Sequence, residues 1–73
     1  MDELTITADY DEEARVWVAI EDSIGLATEA ESLEVLGYKL QEMLPELAEL
    51  NHWTGSTPIL FTLVSRRKLE AFA

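Results

Sequence analysis

Four stretches of the chain predict β-strands, in which successive side chains point to opposite faces with a period of two. They cover residues 4–9, 15–21, 26–31 and 59–65. The last stretch carries apolar side chains on both faces, which is typical of a strand inside a sheet or of one covered on both sides. Gly25 separates the second and third stretches and favours a turn.

A helix is predicted between the third and fourth strands. Apolar residues recur there at spacings of three and four and form one face: Leu33, Leu36, Leu40, Met43, Leu44, Leu47 and Leu50. Ser32 is a favourable N-cap. Gly37 interrupts the pattern and would allow close packing on the sheet, while Pro45 predicts either a kink near residues 41–44 or a break followed by a second short helix. Residues 51–58 predict a loop.

The order β-β-β-α-β predicts an α+β fold with a four-stranded mixed sheet, strand order 3-2-1-4, and one helix packed on one face. A crossover helix after a hairpin meander returns the last strand parallel to the first. One sheet face stays open, and we expect it to hold either the following residues or those of opposite parity: Trp17, Ala19, Leu60 and Val64. A part-apolar open face on so short a chain predicts a homodimer.

The charge is negative and uneven. The formal net charge is -10. Residues 1–51 hold 14 acids and 2 bases (net -12), and residues 52–73 hold 1 acid and 3 bases (net +2). This surface would repel nucleic acid and anionic membranes and attract a basic protein, whereas simple solubility is the plainer interpretation. The absence of cysteine fits a cytoplasmic location, and no apolar run approaches the ~20 residues that span a bilayer.

Candidate chemistry is sparse, so we expect neither an enzyme nor a cofactor or metal site. Metal-dependent catalysis needs carboxylates from separate elements, whereas the densest carboxylates belong to one predicted turn: Asp9, Asp11, Glu12 and Glu13. His52 is the only histidine, too few for zinc. The one basic cluster is expected to pair with the acidic body or with a second subunit rather than with nucleic acid: Arg66, Arg67 and Lys68.

The run from Val16 to Leu36, VWVAIEDSIGLATEAESLEVL, resembles the HicB-like antitoxin family. It is most similar to small stand-alone bacterial and archaeal proteins of unassigned function that share the HicB-like fold. The shared features are an acidic turn, an aromatic-x-Ala strand, a Gly-Leu corner, a Ser-Leu-Glu helix start and a Pro-Glu-Leu run, and they extend over residues 4–51. Ile24 departs from the proline that the family usually has before its glycine.

The resemblance implies a partial ribonuclease H-like fold and a single HicB-like domain over residues 1–73, without the C-terminal DNA-binding domain of most HicB antitoxins. It implies a non-catalytic protein-binding module whose partner is a small basic, toxin-like ribonuclease. A self-associating structural or regulatory protein without a toxin is the alternative, and a divergent nuclease is the third hypothesis. From charge and expected exposure, the partner-binding residues are predicted to be Trp17, Glu21, Asp22, Glu29 and Glu31.

Overall fold

The computed structural model describes residues 3–50 and 58–72. Four strands form one sheet in the order β3-β2-β1-β4, in which β1 pairs antiparallel with β2 and parallel with β4. In chain order the elements are β1 (Glu3–Asp11), β2 (Val16–Glu21), β3 (Leu26–Ala30), α1 (Leu33–Leu50) and β4 (Leu60–Arg66). The predicted class, mixed sheet and strand order are confirmed. His52 and all of the predicted loop except Pro58 lie outside the described residues.

The turn between β1 and β2 is closed by one aspartate. The Asp11 Oδ1 atom accepts hydrogen bonds from the backbone N–H groups of Glu13 and Ala14, at 3.0 and 3.2 Å. Arg15 follows with a left-handed φ of 60°, and its N–H donates to the Asp11 carbonyl oxygen at 2.7 Å. An aspartate side chain therefore closes this hairpin without an Asn-Gly pair, because it bonds to the backbone two and three residues ahead.

A single 3₁₀ turn, Asp22–Ile24, joins β2 to β3 and ends at Gly25. Gly25 has a φ of 68°, and its N–H donates to the Asp22 carbonyl oxygen at 3.2 Å. The predicted glycine turn is confirmed. The turn also buries Ile24 in the core, a contribution that the alternating pattern did not predict because Ile24 lies outside both strands.

Helix α1 begins as the sequence predicts and then runs without interruption. The Ser32 Oγ atom accepts a hydrogen bond from the Val35 N–H at 3.1 Å, which confirms the N-cap. The helix continues through Pro45 to Leu50, so the break, one of the two alternatives predicted at Pro45, is wrong. Pro45 lies on the exposed side of the helix, where water can satisfy the carbonyl oxygen that loses its N–H partner.

The core lies between α1 and one face of the sheet. It comprises Ile6, Ala8, Ala19, Ile24, Leu26, Ala30, Leu36, Leu40 and Leu44. Leu50, which the spacing placed on the same face, is exposed, so the predicted apolar face ends before the helix does. A Cβ added at Gly37 would meet no heavy atom within 4 Å, so the predicted close packing at this glycine is also wrong.

The strand register decides which residues face away from the helix. Ala8 pairs with Ala19 and Ile6 with Leu63, so Trp17 and Ala19 lie on the helix side, whereas Leu60 and Val64 lie on the other. The predicted grouping of these four residues is therefore wrong. Alternation within β2 and within β4 shows which residues share a face of each strand, but not which of those faces lie on the same side of the sheet. We call the uncovered side the open sheet face; it includes Thr5, Thr7, Asp9, Val16, Val18, Ile20, Ala27, Glu29, Leu60, Thr62 and Val64.

Among residues 3–50 and 58–72, strand β4 lies at the edge of the sheet. The interior position indicated by its two apolar faces is therefore wrong for one copy. It is not covered on both sides either, since Leu60 and Val64 on the open sheet face are 61% and 39% exposed.

The two described glycines predict opposite responses to the same substitution. Gly37→Ala is expected to raise the free energy of unfolding by about 1 kcal/mol, because alanine favours a helix and the site is open. Gly25→Ala is expected to lower it by about 1 kcal/mol, because its left-handed φ of 68° strains a residue that has a Cβ. Urea unfolding followed by circular dichroism measures both, and equal signs for the two variants would contradict the assigned backbone conformations.

Candidate functional site

Two of the basic side chains form ion pairs with acids near the turn that joins β1 to β2. Arg66 forms a bidentate ion pair with Asp9, with Nε–Oδ1 and Nη2–Oδ2 distances of 2.9 and 3.1 Å. The hydrogen bond that Arg66 donates to Asp9, together with the negative charge of that carboxylate, raises the pKa of Arg66 above its ordinary value. Arg67 Nε lies 3.2 Å from Glu12 Oε2, and its guanidinium stacks 4.1 Å from the centre of the Tyr10 ring. The predicted pairing of this cluster with the acidic body is confirmed for both arginines.

A shallow cleft of about 350 Å³ opens where β3 passes into α1. We call it the β3–α1 cleft; it is lined by Val16, Glu29, Ala30, Glu31, Val35 and Lys39. Its one cation, Lys39, is directed to a backbone group, with Nζ 2.6 Å from the Glu29 carbonyl oxygen. Across residues 3–50 and 58–72, no cation lies within ion-pair distance of the Glu29 or Glu31 carboxylate. The cleft therefore keeps two unneutralised carboxylates.

Local chain geometry places these groups together. Side chains alternate along β3, so Ala30 packs into the core while Glu29, one position earlier, is exposed. Glu31 follows the strand, and α1 starts two residues later at Leu33. Val35, in the first turn of the helix, and Lys39, one turn further on, therefore lie along the edge strand. The early start of the helix after β3 brings an apolar floor and two acids into one cleft.

The chemistry of the β3–α1 cleft suits a lysine or arginine side chain from another molecule. Such side chains lay their methylene stems on apolar surface and keep the charged head in polar surroundings. Here Val16 and Val35 offer the apolar surface, and Glu29 and Glu31 offer carboxylate oxygens. Charge-assisted hydrogen bonds between a guanidinium or ammonium group and a carboxylate are about twice as strong as neutral ones.

The five sequence-predicted binding residues do not form one site. Trp17 pairs with Ala30 in the register of β2 and β3, so it lies at the same end of the sheet as Glu29 and Glu31. Glu21 pairs with Leu26 at the other end, four residues along β2, which is ~13 Å at about 3.3 Å per residue. Asp22 follows Glu21 and is exposed. The structure thus places three of the five at one end of the sheet, where only Glu29 and Glu31 line the cleft, and leaves the other two apart.

Trp17 and Glu21, two of these five predicted binding residues, make contacts with neighbouring side chains. Trp17 is half-buried and meets the Tyr10 ring edge-on, with ring centroids 5.1 Å apart and planes at 64°. The Glu21 carboxylate accepts a hydrogen bond from the Ser23 hydroxyl. Sequence reasoning missed Val16, Val35 and Lys39 as cleft residues. Val35 carried a usable signal, since an apolar residue stands at the third helical position, where a capping glutamate is favoured.

The structure gives less support to a metal site or a membrane-spanning helix than to the β3–α1 cleft. In the part of the chain that the structure describes, no three His, Cys, Asp or Glu side chains are grouped closely enough to hold a metal ion. Two of the hairpin carboxylates, Asp9 and Glu12, are already bound to arginines. Within the same residues, no helix has the length and apolar character needed to cross a membrane.

Comparison with known proteins places the chain in a family. The model of a family described as "domain of unknown function (DUF1902)" matches residues 3–73. The chain belongs to this family. The DUF1902 chain is also similar to the crystal structure of a hypothetical protein from the extremely thermophilic bacterium Thermus thermophilus, with a TM-score of 0.81 and 44% sequence identity over 94% of this chain and 99% of that one. No curated protein matches. Neither description names an activity or a partner.

Proposed function

We propose that this DUF1902 chain is a non-catalytic protein-binding module that captures a small cationic protein through the β3–α1 cleft. The main support for this function is that the carboxylates of Glu29 and Glu31 are unneutralised and lie beside the apolar side chains of the cleft. An exposed lysine or arginine of the partner enters the cleft, and Trp17 lies on the neighbouring strand, paired with Ala30 of the cleft.

The resemblance to HicB-like antitoxins supports a partner of a particular kind, a small basic ribonuclease toxin. Such a toxin binds RNA through a cationic surface, and an acidic protein that covers this surface competes with the phosphates for it. The net charge of -10 favours rapid encounter with a basic protein, and a few buried contacts then decide how long the complex lasts.

A binding role fits the chemistry of the chain better than catalysis does. The Asp9 and Glu12 carboxylates, which a nuclease site at the hairpin would need, are held by Arg66 and Arg67. Carboxylates paired in this way are poor ligands for a metal ion, because each guanidinium would first have to be displaced. The divergent-nuclease hypothesis therefore has little support from this end of the sheet.

A matched pair of variants tests the cleft. Glu29→Gln with Glu31→Gln is expected to weaken binding of the basic partner at least tenfold, since each charge-assisted hydrogen bond is worth about 1.5–3 kcal/mol. Glu21→Gln with Asp22→Asn removes the same two charges at the other end of the sheet, and we expect a change of less than about threefold. Calorimetric titration measures both. Equal weakening by the two variants would show general charge attraction and would contradict a role for the cleft.

Growth assays identify the partner. Small basic proteins encoded next to this gene in the source genome are expressed one at a time, with and without the DUF1902 chain. We expect one of them to arrest growth and the chain to restore it, while the Glu29→Gln, Glu31→Gln variant restores it poorly. A neighbourhood that encodes no small basic protein, or growth arrest that the chain does not relieve, would contradict the antitoxin role.

A further inference from the structure

Strand β4 combines the position of an edge strand with the composition of an interior strand. Phe61 and Leu63 point to the helix side and pack partly against the core, while Leu60 and Val64 lie on the open sheet face. We propose that the outer edge of β4 pairs antiparallel with the β4 edge of a second copy, about a two-fold axis, so that two four-stranded sheets join into one. This inference is independent of the proposed capture of a cationic protein, which uses the β3 edge at the other end of the strand order.

The two edges of the sheet are protected differently. Natural proteins keep edge strands from pairing with other chains by placing charges on them. The β3 edge carries Glu29 and is followed by Glu31, so a second copy would be repelled there. Across residues 60–65 of β4 there is no charged side chain at all. Among the described residues, no strand pairs with the outer edge of β4, so its backbone N–H and C=O groups on that side are available to another strand.

The charge distribution points to a second copy as the occupant. Two chains of net charge -10 repel each other over most of their surface. Residues 52–69 contain no acid, so the β4 side is where two copies meet the least repulsion. The two arginines at the end of β4 do not oppose this approach, because Arg66 and Arg67 are paired with Asp9 and Glu12 of their own chain.

The chain after β4 supplies apolar surface for the same contact. We call residues 67–72 the C-terminal arm; its Leu69 and Phe72 are 77% and 88% exposed. In an antiparallel pair, the arm of each copy passes the beginning of its partner's β4, where Leu60 and Phe61 lie. A stable interface buries about 1,200–2,000 Å² in total, more than two short strands supply, and an aromatic side chain adds about 150–250 Å². The arms therefore enlarge the interface toward the size that a stable dimer needs.

Sedimentation velocity over a range of protein concentrations tests the pairing. Three single variants are compared, each with one added glutamate at a different site. Thr62→Glu puts two carboxylates close together at the paired edge, and we expect at least a 100-fold increase in the dimer dissociation constant. Ile20→Glu on the open sheet face and Ala27→Glu on the β3 edge are matched controls, and both are expected to remain dimeric. All three positions are exposed, so the fold should persist, which circular dichroism checks.

Two outcomes would overturn the proposal. One is a wild-type chain that stays monomeric at every concentration. The other is a dimer that Ile20→Glu or Ala27→Glu dissociates and Thr62→Glu does not, which would indicate stacked open faces or pairing through β3.

Crosslinking measures the proximity of the two β4 edges directly, and it does not depend on whether Thr62→Glu folds. The chain has no cysteine, so one introduced thiol reports a single position. We expect a short bismaleimide to link two copies of Thr62→Cys efficiently. Ile20→Cys should link poorly, because β2 lies two strands further from the edge, about 10 Å in each copy. Efficient linking of Ile20→Cys or Ala27→Cys, with none of Thr62→Cys, would overturn the pairing.

Discussion

Leu40→Ala is expected to lower the free energy of unfolding by about 2–5 kcal/mol. Leu40 is fully buried at the centre of α1 and packs against the sheet. The loss combines the transfer free energy of the removed methyl groups with the cavity that remains. A domain of this size has on the order of 5–10 kcal/mol of stability in all, so this variant should lose between about a fifth and all of it. Urea unfolding at fixed protein concentration measures the change.

Leu50→Ala is the matched control, because it makes the same substitution in the same helix at a side chain that is 76% exposed. We expect a change within about 0.5 kcal/mol, as for exposed substitutions in general. A large loss at Leu50, or a small one at Leu40, would contradict the packing of α1 on the sheet.

Trp17→Ala is expected to cost about 3 kcal/mol of unfolding free energy, the lower end for loss of a large aromatic side chain, since Trp17 is only half-buried. Its indole packs against the core and meets the Tyr10 ring, which in turn lies under the Arg67 guanidinium. This stack ties β1, β2 and the start of the C-terminal arm together. Circular dichroism follows unfolding in this variant, because the substitution removes an indole fluorophore.

Trp17→Phe keeps an aromatic ring at the position and is expected to recover more than half of the loss. The comparison also decides the role predicted for Trp17 as a binding residue. If Trp17→Ala leaves stability unchanged and abolishes partner binding, Trp17 is a contact residue rather than a packing residue, and the structural role argued for it is wrong.

Local patterns were sufficient to predict the fold. The composition of the four strands, the Ser32 cap and the leucine spacing of α1 each depend on neighbours within a few residues, and the connection rules then leave few topologies. The failures concern long-range geometry. Parity shows that Val16 and Trp17 point to opposite faces, but only pairing with β1 decides which of them the helix covers.

Pro45 and β4 show how tertiary context overrides a local preference. A proline breaks a helix unless packing on both sides outweighs the lost bond, and buried Leu44 and Ala48 flank Pro45 in α1. The two apolar faces of β4 indicated an interior strand, and a single chain leaves it at the edge. The proposed pairing of two copies would reconcile the sequence pattern with the structure.

The candidate site was predictable only in part. Charge and expected exposure indicate Glu29 and Glu31 no more than Glu21 and Asp22, and nothing in the sequence separates the two pairs. The separation follows from the register of β2 with β3 and from the start of α1 directly after Glu31. Val35 and Lys39 enter the cleft for the same reason.

The most direct test of the central claim is affinity capture from native lysate with two baits, the wild-type chain and the Glu29→Gln, Glu31→Gln variant, at low and high salt. Bound proteins are identified by mass spectrometry. We predict that the wild-type chain enriches one small basic protein at low salt, that high salt releases it, and that the variant does not retain it. Identical sets of proteins on both baits, or no enriched basic protein on either, would contradict the claim that this chain captures a cationic partner through the β3–α1 cleft.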